Sequence, residues 1–130
     1  MKFNALLIDD NQMSLKAIRD MLDSTGSIEK IFMANNYFEA IKIIKYELEN
    51  NVFSINLIFI DFDMSIIDGF EMLKNLQSID LNDIFVVAIS TNIQNKKISL
   101  QNGAVEFLHK PFGLDELQKV LDKISEISVY

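Results

Sequence analysis

A doubly wound α/β fold is what this sequence predicts, with helices on both faces of a parallel sheet. Three observations carry that prediction. Short runs that are apolar at every position recur, Leu57-Ile58-Phe59-Ile60 and Phe85-Val86-Val87-Ala88-Ile89 most clearly. Unbroken apolar runs are the mark of strands buried on both faces of a parallel sheet. Between such runs lie stretches with apolar residues at helical spacing. The two kinds of element alternate along the chain, as βαβ units require.

The elements follow in order. Ala5-Leu6-Leu7-Ile8 is the first strand and runs into two aspartates. Leu15, Ile18, Met21 and Leu22 recur on one helical face, and Ser24-Thr25-Gly26-Ser27 stops that helix. Ile31-Phe32-Met33-Ala34 is a second short strand. Ala40, Ile43, Ile44 and Leu48 give the second helix, which Asn50-Asn51 ends. Leu57 to Ile60 is the third strand, and Phe70, Leu73 and Leu76 mark the third helix. Phe85 to Ile89 is the fourth strand, followed by a short polar helix around Lys96 to Gln101. Val105 to Leu108 is the fifth strand. Leu114, Leu117, Val120, Leu121 and Ile124 form the last helix, with Asp115 and Glu116 at the positive end of its dipole.

Length and charge narrow the function. The 130 residues suit a single domain, 1–130, and no linker, repeat or low-complexity tract divides them. Twelve basic and nineteen acidic side chains leave a net charge of -7, and Arg19 is the only arginine. That balance argues against a nucleic-acid partner, which needs Lys and Arg for its phosphates. The absence of cysteine excludes disulfides and thiolate metal sites. No apolar run reaches the roughly 18 residues that a membrane span requires. The start, Met1-Lys2-Phe3-Asn4, makes a poor signal peptide. A soluble cytoplasmic domain without membrane insertion is expected.

In a doubly wound sheet, ligands bind beyond the carboxyl ends of the strands, where the strand order reverses. The residues there carry chemistry. Strand one ends in Asp9-Asp10, strand three in Asp61 with Asp63 beyond it, strand four in Ser90-Thr91, and strand five in Lys110-Pro111. Singly, each has a plain reading as a cap, a turn or a solvated side chain. Together they place several carboxylates, a hydroxyl and an ammonium at one edge. Clustered like charges need compensation, and a hard divalent cation such as magnesium provides it with oxygen ligands. Such a set fits phosphoryl transfer, with one carboxylate as nucleophile.

These residues resemble the response-regulator receiver domain of two-component signalling, over about residues 3 to 127. The marks are Leu6-Leu7-Ile8-Asp9-Asp10, Ile58-Phe59-Ile60-Asp61-Phe62-Asp63-Met64, Asp68-Gly69, Val86-Val87-Ala88-Ile89-Ser90, then Gly103-Ala104, Phe107 and Lys110-Pro111-Phe112. The resemblance implies a flavodoxin-like five-stranded sheet of order 2-1-3-4-5. It implies that Asp61 accepts a phosphoryl group from a histidine kinase or histidine phosphotransfer protein. Asp10 and Asp61 would hold Mg²⁺ through their carboxylates, Asp63 through its carbonyl, and Asp9 would support the ion. Lys110 and Ser90 would contact the phosphoryl oxygens. Ser90 and Phe107 would form the switch, and Lys110–Pro111 would be a cis peptide.

The resemblance further implies a downstream protein target on the face of helix four, strand five and helix five, near Lys97, Phe107 and Lys119. The fold uses up the chain, so a stand-alone regulator that signals by binding is expected. It is expected to be a monomer when unphosphorylated. Lys119 and Lys123 on helix five do not reproduce the arginine-rich pattern of receivers that dimerise. Departures from the usual pattern are Ser65 for proline, Thr91 for a small residue, and Phe107 for tyrosine. Asp63 and Asn92 stand where the family tunes hydrolysis of the acyl phosphate.

His109, the only histidine, is expected at the sheet's edge rather than in phosphoryl exchange. Lys96-Lys97 reads as a solvated helix start. One alternative is a receiver-like binding module that is not phosphorylated, which the full set Asp10, Asp61, Ser90 and Lys110 argues against. Another is a phosphatase of the haloacid-dehalogenase type, which Asp61-Phe62-Asp63-Met64-Ser65 also resembles. That family places the motif on its first strand and needs more chain. A flavin site is weaker still, because the loop Asp9-Asp10-Asn11-Gln12 is acidic where a cofactor phosphate needs donors.

Overall fold

Strands that bury both faces need two layers of helix, and the side-chain alternation shows how this chain supplies them. The computed structural model describes residues 2–64, 66–78 and 84–129. It contains β1 (Phe3–Ile8), α1 (Gln12–Ser24), β2 (Ile28–Ala34), α2 (Tyr37–Glu49) and β3 (Leu57–Asp61). It continues with α3 (Ile66–Ser78), β4 (Phe85–Ser90), α4 (Asn95–Gln101), β5 (Glu106–His109) and α5 (Leu114–Val129). The five strands pair in parallel in the order β2-β1-β3-β4-β5. The fold is flavodoxin-like, as expected.

Neighbouring residues of each central strand go to opposite layers. Leu6, Ile8, Ile58, Ile60, Val86 and Ala88 join one core with Ala40 and Ile44 of α2 and Met72, Leu73 and Leu76 of α3. Ala5, Leu7, Leu57, Phe59, Val87 and Ile89 join the other. There they meet Leu15, Ile18 and Leu22 of α1 and Leu117, Val120, Leu121 and Ile124 of α5. Two dry faces leave little room for a polar side chain along a central strand, and Asn4 sits at the start of β1, where its amide bonds the Ser54 carbonyl. Polar residues therefore collect where the strands end.

Several bounds differ from the sequence reading: β1 starts two residues early, at Phe3, and β5 is Glu106–His109 rather than Val105 to Leu108. β2 starts at Ile28, three residues before the apolar run, because it pairs only with β1 and carries exposed Glu29 and Lys30. α4 starts one residue early, at Asn95, whose side chain is buried. The starts of α1 and α2 are set by asparagine caps. Asn11 accepts from the Ser14 N–H at 3.0 Å, and Asn36 from the Glu39 N–H at 2.8 Å.

Candidate functional site

The strand order reverses between β1 and β3, so the crevice there is bounded by the residues that follow each strand. Asp61 is the last residue of β3 and is 3% exposed. Its Oδ1 accepts the Asp63 N–H at 2.8 Å, and its Oδ2 accepts Lys110 Nζ at 3.0 Å. Lys110 follows β5 and is tied to β4 by its own N–H, which donates to the Ser90 carbonyl at 2.8 Å. The Lys110–Pro111 bond is cis. The same ammonium lies 3.7 Å from Asp9 Oδ2 and 3.8 Å from Asp63 Oδ2. One cation thus faces three carboxylates.

Asp9, Asp10 and Asp61 each bring a carboxylate oxygen within 4.8 Å of the others. Asp9 is buried, and its Oδ1 accepts the Asn11 N–H at 2.9 Å. Its Oδ2 is buried without a hydrogen bond, an uncommon state for a carboxylate oxygen. An acidic group with an unsatisfied inward oxygen is the donor set a hard divalent cation takes. The residues present therefore fit a metal ion. Asp63 stands outside this carboxylate group.

Electrostatics follow the geometry. The Asp61 carboxyl is pushed up from its ordinary 3.8 to about 6. Burial is the first cause, Asp9 adds to it, and the Asp63 N–H and Lys110 oppose it. Burial works to lower the Lys110 ammonium, but its hydrogen bond and attraction to Asp61, with the charges of Asp9 and Asp63, outweigh that and raise it.

On the other side of Lys110, Ser90 ends β4 fully buried. Its hydroxyl donates to Asp63 Oδ1 at 2.8 Å and accepts from the Asn92 N–H and the Asn95 Nδ2, both at 3.0 Å. The Thr91 N–H also points at Asp63. Phe107 is buried in the core beside Ala88 and Phe62, on strand β5. His109 is exposed at the end of β5, and its Nε2 contacts the Thr91 carbonyl at 2.9 Å. Gly69 lets α3 approach the ring of Phe62, where a Cβ would meet ring carbons at 2.9 to 3.1 Å. Ser65 lies outside the described residues.

The structure therefore brings Asp9, Asp10, Asp61, Ser90, Lys110 and the Asp63 side chain to one edge, with Phe107 in the core behind them. Sequence reasoning missed Asn95. Its signal was faint, a lone asparagine opening a polar helix, and only the loop path shows that it turns inward.

Comparisons with known proteins agree. The family model for the response regulator receiver domain matches residues 5–122. The probable C4-dicarboxylate response regulator DctR of Bacillus subtilis is 28% identical over 126 residues, 96% of this chain and 53% of its own length. A protein-glutamate methylesterase/protein-glutamine glutaminase of Methanococcoides burtonii is 31% identical over 123 residues, 92% of this chain and 33% of its own. The chain thus spans about a third to a half of the length of these curated relatives. Among solved structures, the Francisella response regulator 1452 receiver domain superposes with a TM-score of 0.78 at 26% identity, covering 98% of this chain and 99% of that one. A response regulator from Thermotoga maritima shares the fold, with a TM-score of 0.77 at 22% identity over 95% and 98% of the two chains.

Proposed function

We propose that this chain, which belongs to the response regulator receiver domain family, accepts a phosphoryl group on Asp61 and signals through the resulting change in protein binding. The observation that carries the reading is the Asp61 carboxylate held 3.0 Å from Lys110 Nζ within an acidic group of three. The donor is a phosphohistidine on a histidine kinase or histidine phosphotransfer protein.

In the transfer, an Asp61 oxygen attacks phosphorus, the P–N bond to the donor imidazole breaks, and that imidazole takes a proton. Asp61 titrates near 6, so most of it is ionised and nucleophilic at neutral pH. Lys110 balances the charge that gathers on the phosphoryl oxygens. Ser90 donates to one of those oxygens. Asp9, Asp10 and Asp61, with the Asp63 carbonyl, would hold Mg²⁺, which would neutralise phosphoryl charge when bound. The 130 residues act as one receiver unit.

The readout is the face of α4, β5 and α5. Exposed Ile93, Ile98 and Leu100 stand there with Lys96 and Lys97. Ile93, Lys96, Lys97 and Leu100 border a shallow depression, suited to an apolar segment with acidic neighbours. The new phosphoryl oxygens act on this face through Ser90 and the start of α4, in proportion to their preference for one loop arrangement over another.

The test is intact mass after incubation with Mg²⁺ and acetyl phosphate, beside Asp61→Asn. A single phosphoryl adduct that needs Mg²⁺ and is lost in the variant is expected. An adduct that survives in Asp61→Asn, or none with either acetyl phosphate or a phosphohistidine donor, overturns the reading.

A further inference from the structure

The phosphoryl-oxygen donors of this site already serve an anion, and that anion is part of the chain. Asp63 Oδ1 accepts the Ser90 hydroxyl at 2.8 Å and the Thr91 N–H at 3.1 Å. Its Oδ2 shares the same N–H at 3.0 Å and stands 3.8 Å from Lys110 Nζ. A hydroxyl and a backbone amide each carry one hydrogen. Neither can serve a second anion fully while it serves the first.

The turn from Asp61 to Asp63 explains the aim. The Asp63 N–H folds back onto Asp61 Oδ1 at 2.8 Å, which throws the Asp63 side chain across towards β4. The side chain is 27% exposed, so water can receive it if it leaves. A shallow cleft bounded by Phe62, Asp63, Thr91, Asn92 and Asn95 lies beside it.

We propose that the Asp63 carboxylate is a tethered competitor of the phosphoryl group, holding the Ser90 hydroxyl, the Thr91 amide and part of the Lys110 charge until it swings out. The proposal rests on the phosphoryl-acceptor reading of Asp61. Two effects act in the same direction. The donors must be released before they bind phosphoryl oxygens, and a carboxylate beside them repels an incoming anion. The competitor also orders the loop beforehand. Ser90 keeps the bonds it accepts from Asn92 and Asn95 whichever anion its hydrogen serves. The start of α4 therefore stays tied to Ser90 during the exchange and follows it, while the Asp63 side chain swings out.

Beryllofluoride, a phosphoryl analogue, tests this when titrated with Mg²⁺ into the full chain and into Asp63→Ala and Asp63→Asn, followed by amide NMR. Mg²⁺ is held at saturation for every form and its affinity is measured separately, so a change in Mg²⁺ binding is separated from a change in beryllofluoride binding. Asp63→Ala should bind beryllofluoride about tenfold tighter, the scale of losing one charge-assisted competitor. Asp63→Asn should fall between, since it keeps an acceptor but drops the charge. Before any ligand is added, the Thr91 amide should already shift in Asp63→Ala.

Equal or weaker binding in Asp63→Ala, with the analogue bound to all forms, overturns the competitor alone. So does an unmoved Thr91 amide. No binding to any form overturns the phosphoryl-acceptor reading and the competitor with it.

Discussion

On one side of Lys110 a buried carboxylate oxygen of Asp9 has no donor, and on the other the Asp63 carboxylate and the Ser90 hydroxyl are fully engaged. Asp9 turns a buried oxygen into the acidic group with no hydrogen bond, and Lys110 Nζ stays 3.7 Å away. Asp63 holds the Ser90 hydroxyl and the Thr91 N–H, while Ser90 is further held by Asn92 and Asn95. Both sides are short loops at the same sheet edge, so the fold does not cause the difference. Its source is where the amide hydrogens point. The acidic side is poised to gain a cation, and the saturated side must release a bond before it gains one.

The largest effect should come from removing the one cation the two sides share. Lys110→Met keeps the aliphatic stem and leaves Asp61, Asp9 and Asp63 without their ammonium. Breaking a largely buried pair by removing one partner costs about 3 kcal/mol. A urea midpoint lowered by that amount at neutral pH is expected, with Mg²⁺ restoring part of it. Restoration would locate the deficit on the acidic side. A loss that Mg²⁺ leaves untouched would mean that Lys110 mainly supports the saturated side.

The pH dependence sharpens the same comparison. Asp61 titrates near 6 in the fold against an ordinary 3.8. Between those values the folded chain binds more protons than the unfolded one, so stability falls as pH rises. The penalty is absent below about 3.8 and complete above about 6. Asp61→Asn carries no such titration. Relative to the wild type it should gain about 2 kcal/mol between about pH 4 and pH 7.5, after allowance for screening by water. Urea denaturation of both proteins across that range checks the sign. A difference that stays flat would show that Lys110 already offsets the burial of Asp61.

Much of this site was legible because topology gathers strand ends. Asp9, Asp10, Asp61, Ser90 and Lys110 could be placed at one edge from the apolar runs before them. Those runs read clearly since both faces of β1, β3 and β4 are dry. β2 read only in part, because an edge strand carries exposed Glu29 and Lys30 at its start. Gly69 marked the family, but its reason is the Phe62 ring beneath it, a contact no periodicity reveals. The aim of Asp63 and the burial of Asn95 depend on loop paths of a few residues. A polar side chain in a loop has the same pattern in sequence whether it faces water or the site.

Two substitutions of nearly constant volume put the comparison to its finest test. Asp9→Asn removes a charge from the side with the unbonded oxygen. The amide oxygen can still accept the Asn11 N–H, and the new amide hydrogens can serve neighbouring carboxylates. Ser90→Ala removes a hydroxyl from the saturated side, leaving Asp63 Oδ1, the Asn92 N–H and the buried Asn95 amide each one partner short. Stranding buried polar groups costs about 1 kcal/mol or more, whereas relieving like charge returns up to about that much. Opposite signs in urea midpoints without Mg²⁺ are therefore expected, Asp9→Asn up and Ser90→Ala down. Mg²⁺ should stabilise Ser90→Ala as it does the wild type, since binding to the folded state adds to stability by mass action. It should stabilise Asp9→Asn less. Two losses of equal size, both indifferent to Mg²⁺, would mean that the two sides of Lys110 form one network rather than a deficit facing a surplus.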